Sequence, residues 1–165
     1  MLMDWGRFGL FAAAGALGVG LAGCDSVSLF SSAPPAPAVS PYAGAGVSAD
    51  QFVGGWGLAS YHRDADRART EKEAKAQCNR PYVIAKGPNG GLMMHLPDQS
   101  APDELALKGA EGHNYIGPPN DKPGGANDRE VVQVSADSFT IHWVDPDTAQ
   151  RYGTMVYERC RGKAG

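Results

Sequence analysis

Short segments in which apolar and polar residues alternate recur between positions 50 and 160, and each ends at a turn sequence. Alternation with period two is typical of β-strands that bury one face. Gly, Pro, Asn and Asp cluster between these segments about every ten residues, a spacing typical of small antiparallel β-proteins. The pattern predicts about eight strands in an antiparallel up-and-down barrel, with an open β-sandwich as the alternative.

One segment of this region departs from the alternation. Residues 64–77 are rich in Ala, Glu, Lys and Arg and contain neither Gly nor Pro, which predicts a short helix. Its apolar positions are all alanines, so it has little surface to pack against a sheet. The predicted fold is therefore all-β with one short helix.

Three potential metal ligands, His62, Asp64 and Asp66, stand close together where this helix begins. An imidazole nitrogen and two carboxylate oxygens form a mixed ligand set that divalent metals accept. The competing interpretation is a helix cap, in which Asp64 or Asp66 accepts backbone N–H bonds and is favoured by the helix dipole. The cap is the favoured interpretation, and neither a cofactor nor a catalytic residue is predicted.

The first 23 residues carry a targeting pattern. Residues 8–20 are apolar and follow Arg7, and this run is shorter than the about 20 residues that a membrane-spanning helix needs. It suits the apolar region of a signal peptide and ends in Leu21-Ala22-Gly23-Cys24. These four residues resemble the lipobox of bacterial lipoproteins. The resemblance implies that Cys24 carries palmitate-type lipid and is the first mature residue; an ordinary secretory signal is the alternative.

A lipidated Cys24 implies a protein held on a membrane and facing the periplasm or the cell surface. Asp25 resembles the signal that retains enterobacterial lipoproteins in the inner membrane, a code that other bacteria do not all use. The outer membrane is the favoured location, and the inner membrane is the alternative.

The chain after the signal divides into three parts. Residues 24–49 are rich in Ser, Pro and Ala and predict an extended tether that cannot bury a core. Residues 50–161 form the predicted barrel domain, and residues 162–165 a disordered tail. The net charge of the whole chain is −3 without a basic stripe, which excludes a typical nucleic-acid-binding surface.

The chain has three cysteines. With Cys24 committed to lipid, Cys78 and Cys160 remain, and an even number of thiols in the oxidising periplasm predicts a disulfide. Two free thiols, or a redox or nucleophilic cysteine, are the alternatives. No Cys-x-x-Cys spacing supports redox chemistry.

The first predicted strand contains Gly54-Gly55-Trp56, which resembles the Gly-x-Trp of lipocalin-type barrels. In that family the Trp closes one barrel end beneath an Arg from near the end of the chain. The resemblance implies that Arg159 covers Trp56, with Arg151 as the second candidate. A weaker resemblance is to the bacterial metalloprotease-inhibitor barrels, which also begin with a Gly-x-Trp strand and include lipid-anchored members.

These observations lead to one expected function and two alternatives. The leading expectation is a non-catalytic envelope lipoprotein that presents a small barrel to a protein partner or a small apolar ligand. The first alternative, a periplasmic protease inhibitor, is implied by the weaker resemblance. The second, a metal-dependent envelope enzyme, depends on His62 and its acidic neighbours.

Overall fold

Eight antiparallel strands form a closed barrel in the computed structural model, which describes residues 46–162. Each strand pairs with the next in sequence, and β8 pairs with β1 to close the barrel. The strands are β1 Gly54–Tyr61, β2 Tyr82–Lys86, β3 Leu92–Met94, β4 Asp103–Ala110, β5 His113–Gly117, β6 Arg129–Val134, β7 Ser138–Trp143 and β8 Thr154–Arg159. The predicted up-and-down barrel is confirmed, and the open sandwich is excluded.

Several predictions concern residues outside the described range. The signal peptide of residues 1–23, the lipidation of Cys24, the tether up to residue 45 and the end of the tail, residues 163–165, all lie outside it. The packed part of the chain includes the last residues of the predicted tether, because Val47 and Ala49 contact the barrel core.

The two ends of the barrel differ in the segments that connect the strands. Short turns at residues 87–91, 111–112 and 135–137 lie at one end, called here the closed end. Residues 46–53 lead into β1 at the same end. The longer segments 95–102, 118–128 and 144–153 meet at the opposite end, called here the open end.

The barrel interior is filled by the alternate residues that the sequence pattern predicts. Trp56 of β1 is fully buried, as are Phe139 and Ile141 of β7. The rings of Phe52 and Trp56 each meet Phe139 edge-on, with centroids 5.0 and 4.7 Å away. These aromatic rings therefore pack together at the closed end of the core.

A helix, α1 (Arg67–Ala76), follows β1 and packs on the outside of the barrel against β1 and β8. Its buried residues are Thr70 and Ala74. A Cβ at Gly57 of β1 would lie 1.9 Å from the Ala74 carbonyl oxygen, so glycine permits this close backbone contact. The predicted Cys78–Cys160 disulfide is confirmed, with Cα atoms 5.3 Å apart. Close backbone contact and the disulfide hold a helix that has little apolar surface.

A second helix, α2 (Pro146–Tyr152), lies between β7 and β8. The residues Asp145-Pro146-Asp147 instead predict a turn, followed by a last strand over residues 150–160. Asp145 caps it, since its Oδ1 accepts the Thr148 backbone N–H at 2.8 Å. Gly153 ends it with a φ of 67°, which glycine adopts without strain. No helix within residues 46–162 is both long and apolar enough to cross a membrane.

A buried ion pair fixes the position of the 118–128 segment. Residues 117–127 are rich in Pro, Gly and Asn, a composition that predicts a surface loop. Lys108 Nζ and Asp128 Oδ1 are 2.6 Å apart, and both side chains are 0% exposed. Lys108 also donates to the carbonyls of Pro118 and Asp121. The backbone N–H groups of Gly124 and Gly125 donate to Asp128 Oδ2. The pair is fully hydrogen-bonded and fixes this segment at the open end.

Candidate ligand-binding site

A cavity of about 150 Å³ opens at the open end of the barrel. Most of its wall is apolar or aromatic, and the side chains include Leu58, Tyr82, Leu96, Trp143, Met155 and Tyr157. A cavity of this size accommodates a molecule about as large as benzene. The cavity is therefore large enough for a small organic ligand.

Arg129, the first residue of β6, contributes the cationic group of this cavity. It pairs with Trp143 of β7, so both side chains point to the same face of the sheet, into the barrel. Arg129 is 1% exposed, and its Cζ lies 4.6 Å from the centroid of the Trp143 ring. The guanidinium therefore stacks on the indole within the cavity wall.

Two acidic side chains close to Arg129 or at the cavity rim pair with other cations, and no ion pair to Arg129 is found within residues 46–162. Asp128, its neighbour in sequence, binds Lys108, and Asp98 at the cavity rim binds Arg151. Within residues 46–162, Arg129 Nε and Trp143 Nε1 are buried and have no hydrogen-bond acceptor. A cation and two donors at one wall thus lack the partners that buried polar groups normally have.

Tyr157 does not supply the missing negative charge. It lies in the cavity wall, 2% exposed, with its ring centroid 6.0 Å from that of Tyr82. Burial raises the pKa of Tyr157 to about 12, although the charge of Arg129 and a hydrogen bond to it act in the opposite direction. The phenol is therefore neutral at physiological pH.

The backbone of His95 positions two polar groups of the cavity. Its N–H donates to Tyr82 Oη at 3.0 Å, and its carbonyl accepts from Arg129 Nη2 at 2.9 Å. These bonds connect the segment after β3 to β2 and β6. The Arg129 guanidinium is consequently held in a defined position before any ligand arrives.

Asp98 connects two segments at the rim of the cavity. Its Oδ1 accepts from Tyr152 Oη at 2.6 Å and its Oδ2 from Arg151 Nη1 at 2.5 Å. The Tyr152 hydrogen bond, followed by that of Arg151, lowers the pKa of Asp98. Asp98 has a φ of 60°, a left-handed conformation that Asp tolerates better than most residues. The contact joins the 95–102 segment to α2, so that both form one wall of the opening.

The structure places the predicted barrel-closing residues at the closed end. Arg159 Cζ lies 4.1 Å from the Trp56 ring centroid, whereas Arg151, the second candidate, lies at the open end. Arg159 donates to the backbone carbonyls of Ala136, Val53 and Gln51. A Cβ at Gly54 would lie 2.8 Å from Arg159 Nη1, so glycine leaves the space that the guanidinium occupies.

The structure does not assemble the candidate metal ligands. His62 and Asp64 are exposed, and Asp66 pairs with Arg63 at 2.8 Å and Arg69 at 3.3 Å. The Asp66 hydrogen bond to Arg63 lowers the pKa of Asp66. Within residues 46–162 no three His, Cys, Asp or Glu side chains are placed to hold a metal ion.

The helix-cap interpretation of these acidic residues is met in position but not in hydrogen bonding. Asp66 occupies the N-cap position of α1, but its side chain forms no capping hydrogen bond. Arg63 and Arg69 lie close enough to engage both of its carboxylate oxygens. Ion pairing with two arginines therefore replaces the expected bonds to the backbone.

Sequence reasoning did not identify Arg129 as a site residue. One signal was present, because period two places Arg129 on the same face of its strand as Val131, which is buried in the core. The hairpin pattern also places it near Trp143, on the apolar face of the next strand. The missing counter-ion left no sequence signal, because it depends on where the acidic side chains lie in space.

No family model matches the chain, and neither a curated protein nor a solved structure matches it significantly. What the barrel binds must therefore be inferred from its own residues.

Proposed function

We propose that this protein is a non-catalytic lipoprotein of the bacterial cell envelope whose barrel binds a small apolar ligand. The observation that carries the proposal is the cavity of about 150 Å³ with its largely apolar wall. Small-molecule sites are typically concave and apolar and contain a few well-placed polar groups. Among the expectations from sequence, the cavity favours a small ligand over a protein partner.

The lipobox-like residues Leu21-Ala22-Gly23-Cys24 support anchoring through an acylated Cys24. Residue 46, the first described residue, leads into the barrel at the closed end, opposite the cavity. A tether that starts at Cys24 therefore attaches to the end opposite this cavity. At about 3 Å per residue in an extended polyproline conformation, the tether can hold the barrel tens of ångströms from the bilayer. This arrangement leaves the open end accessible from the periplasm or the medium.

Ligand binding is tested on the mature chain carrying Cys24→Ser, which cannot be acylated. Benzyl alcohol, a neutral probe of suitable size, is expected to perturb the NMR signals of cavity residues and to saturate. Leu58→Phe, which fills the cavity, is expected to abolish binding. Val83→Phe is the matched control, because it enlarges a side chain that is 64% exposed. Absence of saturable binding, or equal binding by the Leu58 variant, would contradict the small-ligand proposal.

Anchoring is tested on the full chain expressed in bacteria. The mass of the mature N-terminal peptide is expected to show an acylated Cys24, and Cys24→Ala is expected to release the protein from the membrane fraction. Ser26→Ala serves as the control and should leave the protein membrane-bound. An unmodified N-terminus at another residue would exclude the lipoprotein part of the proposal.

A further inference from the structure

We propose that the cavity at the open end is selective for small monocarboxylates, with the buried Arg129 guanidinium as the group that binds the carboxylate. This inference rests on the proposed function, because it names the ligand class of the same cavity. It adds a charge and a polar contact to a site that the sequence predicts to be apolar.

The first argument is the unpaired charge of Arg129. Arginine is charged throughout the physiological pH range, and burial of a charge without a partner is strongly unfavourable. Arg129 is 1% exposed and forms no ion pair with any residue from 46 to 162. The cavity that Arg129 lines offers space for a negative charge beside it. A bound anion would compensate the charge in the place where the protein itself does not.

The second argument is the pair of unsatisfied donors. Arg129 Nε and Trp143 Nε1 are buried without acceptors among the described residues, and both side chains line the cavity. At the closed end the equivalent donors are satisfied, since Trp56 Nε1 donates to the Phe52 carbonyl at 2.7 Å. An oxygen-rich ligand group is the complement of donors that lack acceptors.

The third argument concerns the charge and shape of the ligand. Among residues 46–162, Arg129 is the only Lys or Arg in the cavity wall, so its charge matches a single negative charge. Asp98 at the rim is paired with Arg151, so this pair adds no net positive charge for a second anionic group. The remaining titratable groups of the cavity wall are His95 and the phenols of Tyr82, Tyr152 and Tyr157. The planar guanidinium fits the two oxygens of a carboxylate. The ligand class is therefore a monocarboxylate rather than a phosphate ester or a dicarboxylate.

The apolar wall of the cavity determines which group can be attached to the carboxylate of the ligand. The cavity of about 150 Å³ has room for a carboxylate with a single ring or a short chain. Leu58, Met155 and Trp143 offer dispersion contacts to such a group. Benzoate has this combination of one carboxylate and one ring.

The test compares three probes of similar size on the mature Cys24→Ser chain: benzoate, benzamide and benzyl alcohol. Isothermal titration calorimetry at pH 7 is expected to show benzoate binding about tenfold or more tightly than either neutral probe. Arg129→Met, which retains an apolar stem of similar length, is expected to remove this preference while benzyl alcohol still binds. Arg63→Met changes the net charge equally at an exposed position and should preserve the preference.

The outcomes separate this inference from the function on which it rests. Equal binding of benzoate and benzamide by the unsubstituted protein would overturn the carboxylate inference and leave the apolar-ligand proposal intact. Saturable binding of none of the three probes would overturn both. A benzoate preference that survives Arg129→Met would also overturn the role of Arg129. The three-probe comparison needs no substitution in the cavity. It therefore tests the preference for a carboxylate even if the Arg129 variant does not fold.

Discussion

Each end of the barrel has an arginine stacked on a tryptophan, but the two pairs differ in how many of their N–H groups have hydrogen-bond acceptors. At the closed end Arg159 lies 4.1 Å from Trp56 and donates to three backbone carbonyls. At the open end Arg129 lies 4.6 Å from Trp143 and donates to the single carbonyl of His95. The indole N–H of Trp56 has an acceptor, and that of Trp143 has none within residues 46–162.

The difference has its origin in the chain that surrounds each pair. Residues 46–53 fold beneath the closed end and bring the carbonyls of Gln51, Phe52 and Val53 to the arginine and the indole. The 95–102 segment brings one carbonyl to the open end, and the remaining space is the cavity. The same two residue types therefore complete the core at one end and border a cavity at the other. The following substitutions test this contrast, from the largest expected effect to the smallest.

Truncation of the two tryptophans is expected to give the largest difference in stability between the two ends. Trp56→Ala is expected to lower the free energy of unfolding by about 3–5 kcal/mol, because a fully buried aromatic ring leaves a cavity. Trp143→Ala should have a smaller effect, because its ring already borders a cavity and its N–H has no partner to lose. Urea denaturation of both variants measures the difference. A larger loss of stability for Trp143→Ala than for Trp56→Ala would mean that packing at the open end contributes more to the stability of the core.

Removal of the disulfide is expected to have the next largest effect. The double variant Cys78→Ser, Cys160→Ser should lower the free energy of unfolding by about 2–4 kcal/mol, since the bridge restricts the unfolded chain. The Cys160 N–H bonds to the Gly55 carbonyl near the closed end, so the open-end cavity should still bind benzyl alcohol. Thermal melts with and without reductant provide the control on the unsubstituted protein. Equal melting temperatures in the two melts would contradict a stabilising bridge.

The pH dependence of stability tests the burial of Tyr157 beside the cavity. Burial raises its pKa in the folded protein to about 12, against an ordinary value of 10.0, so folding favours the neutral phenol. This contribution is present in full below pH 10 and is lost as the pH rises towards 12, a decrease of about 2–3 kcal/mol in the free energy of unfolding. Tyr157→Phe should lack this part of the alkaline loss. Identical pH profiles for the two proteins would show that Tyr157 ionises normally.

Replacement of each arginine by methionine is the most direct comparison of the two ends. Arg159→Met is expected to lower the free energy of unfolding by about 1–3 kcal/mol, because three carbonyls lose their donors. Arg129→Met is expected to leave stability unchanged or to raise it slightly, because an unpaired buried charge is removed. Denaturation midpoints in the absence of ligand measure both. A strongly destabilised Arg129 variant would indicate that Arg129 supports the fold rather than a ligand.

The local patterns of the sequence predicted most of the architecture. Alternation indicated the strands, and Gly87-Pro88-Asn89-Gly90 and Ser135-Ala136-Asp137 marked turns that the structure contains. The helix α2 was missed although Asp145 and Pro146 supply a capping residue and a first-turn proline. The sequence instead predicts a turn at residues 145–147 and a last strand over residues 150–160, which takes in the end of this helix.

The candidate site was less predictable than the fold. The contact between Trp56 and Arg159 was expected only from a family resemblance, and the contact between Trp143 and Arg129 was not expected at all. Predicting either contact requires knowing how neighbouring strands align. In β6 a bulge between Val131 and Gln133 shifts that alignment. Sequence alone therefore identified the aromatic residues of the core but not the cation that stacks on one of them.

The sequence by itself determined the strand order, most of the turns and the cysteines available for pairing, because these depend on neighbouring residues and on residue counts. Only the tertiary structure decided which charges are paired. Asp128 binds Lys108 across 20 positions and Asp98 binds Arg151 across 53, and within residues 46–162 Arg129 is left without an ion pair beside the cavity. The physical reason is that electrostatic pairing depends on distance in space, which the closing of the barrel sets for residues far apart in the chain.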